Sequence, residues 1–237
     1  MQQAVINATI GISLLAGLTS AAIAQQPDSA AVVQHIDAAV QARVDSIAGY
    51  TATEHYAVFR NNDESHPVAE MTVKAVYRKD AGKTYTPIAQ SGSEIIRNTL
   101  LSSILDRETH MSQPGVREGA YVTSANYEME WQPNLREDAD GRNCLVVNIT
   151  PRHTAPYLFK GSIWVDAGNY SIVQFHGTAT KSASIVTGPA EITRQYALIS
   201  GFPMAIHARA LSNSFLFGPT VIKIDYSDYQ IELRPTP

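Results

Sequence analysis

Hydrophobic residues along this chain follow two spacings, and the switch between them divides it into elements. After Asp28 and Ser29, the residues Val33, Ile36, Val40, Val44 and Ile47 recur at i, i+3, i+7, i+11 and i+14. They form one stripe of an amphipathic helix, capped by Asp28 or Ser29 and ended by Gly49. From Tyr50 the period falls to two. Residues 50–60 are rich in Thr, Tyr, Val and Phe and run into the turn Asn61-Asn62-Asp63. In 70–78, Met71, Val73, Ala75 and Tyr77 alternate with Glu70, Thr72, Lys74 and Arg78, which predicts a strand buried on one face. A short strand is expected around Tyr85, after the turn Asp80-Ala81-Gly82-Lys83.

The helical period returns once. Ser91-Gly92-Ser93-Glu94 has the form of a capping box, and Ile96, Leu100 and Ile104 follow at i, i+4 and i+8 with Ile95, Leu101 and Leu105 beside them. This predicts a helix from Glu94 to about His110 with a wide apolar face, stopped by Gln113-Pro114-Gly115. Strand-like runs then fill 126–131, 144–150, 159–166, 170–180, 191–199, 204–211 and 220–231, separated by short turns such as Asp166-Ala167-Gly168-Asn169. Sequential strands joined by short turns imply an antiparallel meander. The predicted fold class is α+β: a strongly curved antiparallel β-sheet, an open half-barrel, with helices covering the concave face.

The first 24 residues contain no charged side chain; Ile10–Leu18 is an apolar run too short to cross a bilayer, and Ala22-Ile23-Ala24 has the small-x-small form of a signal-peptidase site. We read 1–24 as a cleavable signal peptide, 25–237 as a single domain, and the location as the periplasm; the chain is not read as membrane-spanning. The sole cysteine, Cys144, lies in an apolar run and reads as a small buried hydrophobe. A net charge of −4 offers no footprint for nucleic acid.

Candidate chemistry is sparse. The chain has no G-x-S-x-G elbow, H-E-x-x-H, Walker loop or G-x-G-x-x-G. Aligning Gly141 of Glu137-Asp138-Ala139-Asp140-Gly141 with the sixth position of a calcium loop puts Val147 at the twelfth, so the ligand pattern fails. The seven histidines have no ligand-like spacing. Glu54 and His55 are the one place where a hydrolytic pair is conceivable. The reading is therefore a non-enzymatic protein with no catalytic residue, metal or cofactor.

What remains is apolar and aromatic. Tyr127, Met129 and Trp131 share one face of a strand, as do Met204 and Ile206 of another. With Met71, Val73 and Tyr77 they are candidate walls of an apolar cavity, and Ile96, Leu100, Leu101, Ile104 and Leu105 are candidate lid residues. Periodicity alone does not separate core from cavity wall. The turn Phe215-Leu216-Phe217 is apolar where polar residues are expected, and is read as a plug on the barrel mouth or as a contact for a membrane or an envelope partner.

The order of elements, with the strand Phe159-Lys160-Gly161-Ser162-Ile163-Trp164-Val165-Asp166, its return Tyr170-Ser171-Ile172-Val173-Gln174-Phe175, the turn Gly201-Phe202-Pro203-Met204 and the run Ile224-Asp225-Tyr226-Ser227-Asp228-Tyr229, resembles the LolA/LolB-like lipoprotein carriers. The resemblance implies a half-barrel whose apolar concavity binds lipid or lipoprotein acyl chains under a helical lid. It implies a lid-latching arginine as well, for which Arg60, Arg78 and Arg97 are candidates by location. The alternatives are an envelope protein-interaction module with a filled core and, third, an exported hydrolase.

Overall fold

The computed structural model describes residues 28–61, 63–155, 157–181, 190–214 and 218–235. The segment read as a signal peptide and the turn Phe215-Leu216-Phe217 lie outside the described residues.

Helix α1 spans Ser29–Ser46 and buries Val32 and Ile36, one turn apart; Val33, Val40 and Val44 are half-buried beside them. Asp28 is the N-cap by position but makes no side-chain capping bond. Strand β1, Ile47–Arg60, begins with the next residue. Ile47 therefore opens a strand instead of closing a helical stripe, and Gly49 lies inside that strand. A Cβ on Gly49 would meet the Tyr77 carbonyl at 2.7 Å, so close strand packing, not helix termination, calls for glycine there.

Strands β2 (Ala69–Arg78) and β3 (Gly82–Gly92) follow, and β3 is a full eleven-residue strand where only a short one was expected. Ser91 belongs to β3 and donates to Glu70 at 2.8 Å, so it is not available as a cap. The cap of the next helix is Ser93, which accepts from the Ile96 amide at 3.4 Å. That helix has three parts: α2 (Glu94–Ile96), a π-helical turn (Arg97–Leu101) and α3 (Ser102–Met111). A 3₁₀ turn at Arg117–Ala120 leads to β4 (Tyr127–Ala139). The chain then meanders through β5 (Arg142–Pro151), β6 (Phe159–Asp166), β7 (Ile172–Ala179), β8 (Glu191–Ile199), β9 (Phe202–Ser214) and β10 (Gly218–Leu233).

All ten strands form one antiparallel sheet in the order β3-β2-β1-β10-β9-β8-β7-β6-β5-β4. It is open, with β3 and β4 as edges. Pro87 and Pro133 both lie within these edge strands, where a missing amide donor costs no ladder bond. The first and last strands pair in the interior of the sheet, from Arg60↔Thr220 to Ile47↔Leu233.

The register places both helices on one face. Met71, Tyr56, Ile224, Ala208, Arg194 and Phe175 are successive cross-strand partners from β2 to β7. The row continues through Ile163, Val147 and Trp131 to β4. Val32 and Ile36 of α1 join Tyr127, Trp131, Val147 and Ile163 in one core cluster, while Leu101 joins Tyr56, Val58, Met71 and Val73 in a second. On this face Gly161 and Gly177 are direct partners, and a Cβ on Gly161 would run into the His176 carbonyl. Only glycine permits that approach of β6 to β7.

Candidate functional site

A cavity of about 350 Å³ lies between the Glu94–Met111 helix and the helical face of β6–β10. The helix contributes Leu100, Ile104 and Met111 to its wall, and the sheet contributes Phe159, Phe175, Ile192, Ile222 and Ile224. Ala208 and Ala210 leave room where larger side chains would fill it. Tyr127 and Tyr157 complete one end.

Beside this apolar wall runs a line of charges. Glu54 occupies an inward position of β1 between Ala52 and Tyr56, with its side chain 2% exposed. It accepts a hydrogen bond from the Tyr56 hydroxyl at 2.5 Å and pairs with Lys83 Nζ of β3 at 3.2 Å. Lys83 also approaches Glu108 of α3 at 3.8 Å, and Glu108 pairs with Arg194 of β8 at 3.7 Å. Four alternating charges thus join β1, β3, α3 and β8. Burial of an ion is tolerated only when it is paired, and here each carboxylate has a cation and each cation a carboxylate.

The electrostatics follow. Burial opposes ionisation of Glu108, but Lys83 and Arg194 together outweigh it and hold the carboxyl below its usual range. Burial likewise opposes the Lys83 ammonium, and Glu54, with the surrounding tyrosines and Glu108, raises it well above the ordinary lysine value. Burial keeps the Tyr56 and Tyr226 hydroxyls protonated, and Glu54 adds to the effect. Arg194 Nε and the Tyr85 hydroxyl are buried without a hydrogen-bond partner among the described residues. Chemically, the line can tie the helix to the sheet and exchange partners when a new charge arrives.

The sequence candidates are distributed between this cavity and solid core. Leu100, Ile104 and Tyr127 line the cavity. Met71, Val73 and Leu101 are buried in the core cluster beneath the π-helical turn, with Ile96 and Leu105 packed against it. Met129 and Trp131 belong to the cluster under α1. Tyr77 stacks on Tyr50 at 5.0 Å between ring centres and accepts from Arg117 at 3.2 Å. Met204 is buried against Arg43 of α1, whose guanidinium lies 3.5 Å from its sulfur; Ile206 is half-buried farther along β9.

Of the arginines considered for a latch, Arg78 pairs with Glu232, and Arg97 lies on the helix itself and donates to the Gly92 carbonyl at 2.6 Å. Arg60 sits in a main-chain bridge with Asp63. Among the described residues, the arginine that joins α3 to the sheet by an ion pair is Arg194. Sequence reasoning passed over it, along with Lys83 and Glu108. The available signal was parity: Glu54 interrupts the inward series Ala52, Tyr56, Val58, and Arg194 interrupts Ile192, Tyr196. A charge in an apolar register marks either a buried pair or a binding site.

Cys144 is fully buried, and burial pushes its thiol up. The turn after Asp138 is a hairpin with Asp140 and Gly141 at positive φ, and Asp138 accepts from the Gly141 amide at 2.9 Å. Among the described residues there is no cluster of His, Cys, Asp and Glu able to hold a metal ion, and no helix long and apolar enough to cross a membrane.

No family model matches this chain, and no curated protein does. Solved structures do. A LolA superfamily protein from Nitrosomonas europaea is similar at 11% identity and a TM-score of 0.46, covering 88% of this chain and 94% of its own. A DUF1329 family protein from Desulfovibrio piger is similar at 15% identity and a TM-score of 0.44, covering 85% and 93%. A domain from Vibrio parahaemolyticus, described as an outer membrane lipoprotein-sorting protein, is similar at 14% identity and a TM-score of 0.47, covering 83% and 91%.

Proposed function

We propose that this protein is a periplasmic, non-enzymatic carrier or binder of lipid or lipoprotein acyl chains, held in the cavity between the curved sheet and the Glu94–Met111 helix. In this reading the helices cover the concave side of a half-barrel. The cavity carries the argument. At about 350 Å³ it falls within the roughly 300–1,000 Å³ of small-molecule sites, and most of its wall is aliphatic or aromatic. Sheltering an acyl chain from water is worth about 0.8 kcal/mol per methylene, so no reacting group is needed to retain one. The π-helical turn supports the same reading, since such turns collect at functional sites and loosen the helix that roofs the cavity.

The test is native mass spectrometry of the protein purified from a periplasm, together with uptake of N-phenyl-1-naphthylamine, a neutral dye that fluoresces in apolar surroundings. Co-purifying lipid and saturable dye uptake are expected. Ala210→Phe, which places a ring in the cavity, should abolish uptake while the fold is retained by circular dichroism. A bare chain that takes up no dye would instead point to an envelope interaction module with a filled core.

A further inference from the structure

The cavity is positively charged although the chain as a whole carries −4. Its charged lining residues other than Arg209 are Arg107, Glu108, Lys181 and Arg194, and the Arg209 guanidinium is engaged by Glu64 at 2.6 Å. Glu108 is shared between Lys83 and Arg194, and Lys83 also pairs with Glu54, so those four charges cancel. Arg107 acts on Glu108 without a direct ion pair, and Lys181 is left over. Their side chains form no ion pair among the described residues, and Arg194 keeps its buried Nε donor unused. A cation against an apolar wall is poorly solvated and gains from any counter-ion that reaches it.

We propose that the cavity selects amphiphiles with one long alkyl or acyl chain and an anionic head, a carboxylate or a phosphate monoester, with the head meeting Arg194 and Arg107. The guanidinium fork matches both heads. The chain lies along Phe159, Phe175 and Ile222, while exposed Lys181 marks the rim. This assignment deepens the carrier reading and rests on it. It also gives Glu108 a second role, because an entering anion competes with that carboxylate for Arg194.

The experiment is displacement of bound N-phenyl-1-naphthylamine from the purified full chain by dodecanoate, dodecyl phosphate and dodecan-1-ol, which share a chain length. At least one of the two anions should displace the dye at a concentration at least tenfold below the alcohol, and the better of the two identifies the head. Arg107→Gln, at a residue without an ion-pair partner, should cut that preference at least threefold, read as the ratio of anion to alcohol displacement within the same variant. Arg194→Gln should do the same, and Glu108→Gln should raise the preference. Equal displacement by all three compounds would overturn the anionic assignment and leave the carrier reading standing. So would a preference that both arginine variants retain. Failure of the dye and of every amphiphile to bind would remove the carrier reading, and the assignment with it.

Discussion

Two helices lie on the same face of one sheet and are held there by different means. Helix α1 sinks Val32 and Ile36, both fully buried, into a core of aromatic and aliphatic side chains from β4–β7. The Glu94–Met111 helix buries only Leu101 completely, is interrupted by a π-helical turn, and is tied to β3 and β8 through Glu108. Val32 and Ile36 are enclosed by this packing, so moving α1 would open a void. An ion-paired helix above a cavity can exchange its contacts, which is the property a binding site needs. In the proposed reading, function belongs to the side of the ion-paired helix.

The sharpest challenge to that contrast is Lys83→Met. It strands Glu54 and Glu108 beside one another with one cation lost, and should cost about 3–5 kcal/mol, the range for breaking a buried pair, in urea unfolding. The double variant Lys83→Met/Glu54→Gln should recover part of the loss. A cost below about 1 kcal/mol would mean that the charges are solvated and the two halves are not different in kind. On the dry side, Ile36→Ala should cost about 2–4 kcal/mol through the cavity it leaves, while the folded fraction takes up dye as before. Altered dye affinity in that variant would couple α1 to the cavity.

Acid should loosen the ion-paired helix through Glu108. The folded Glu108 carboxyl lies below its ordinary value, so its contribution to stability is complete above the ordinary glutamate range. It is lost as pH falls through the lowered value. Urea midpoints measured from pH 7 down to 3 should therefore decline, and Glu108→Gln should flatten part of that decline; an identical acid limb in the variant would remove Glu108 as its origin. The smallest effect expected is that of Ser93→Ala, about 1 kcal/mol from the lost cap. Amide exchange should quicken across 94–111 and stay unchanged in α1.

Local periodicity carried much of this architecture. The strands at Phe159–Asp166 and Glu191–Ile199 have the bounds that their turns and β-branched residues predict. The segment Tyr50–Arg60 was legible as well, except where β1 begins three residues earlier because the helix passes into it without a loop. The length of β3 was not legible. Its residues from Thr86 onward are exposed and carry no alternating pattern, because an edge strand is held by its ladder to β2. The charged line was illegible as a constellation, since its members come from four elements and meet only through tertiary pairing. Leu100 and Leu101 show the same limit: they are adjacent on one apolar helical face, yet one borders the cavity and the other is solid core.

The pairing of β1 with β10 fixes when the sheet can exist at all. Ile47 waits for Leu233, and Arg60 for Thr220, so β1–β3 have no central neighbour until the last strand has left the ribosome. Closing so long a loop costs chain entropy, so this pairing forms late in assembly. Removal of β10 should leave the amides on the β10-facing edge of β1 unprotected in hydrogen exchange.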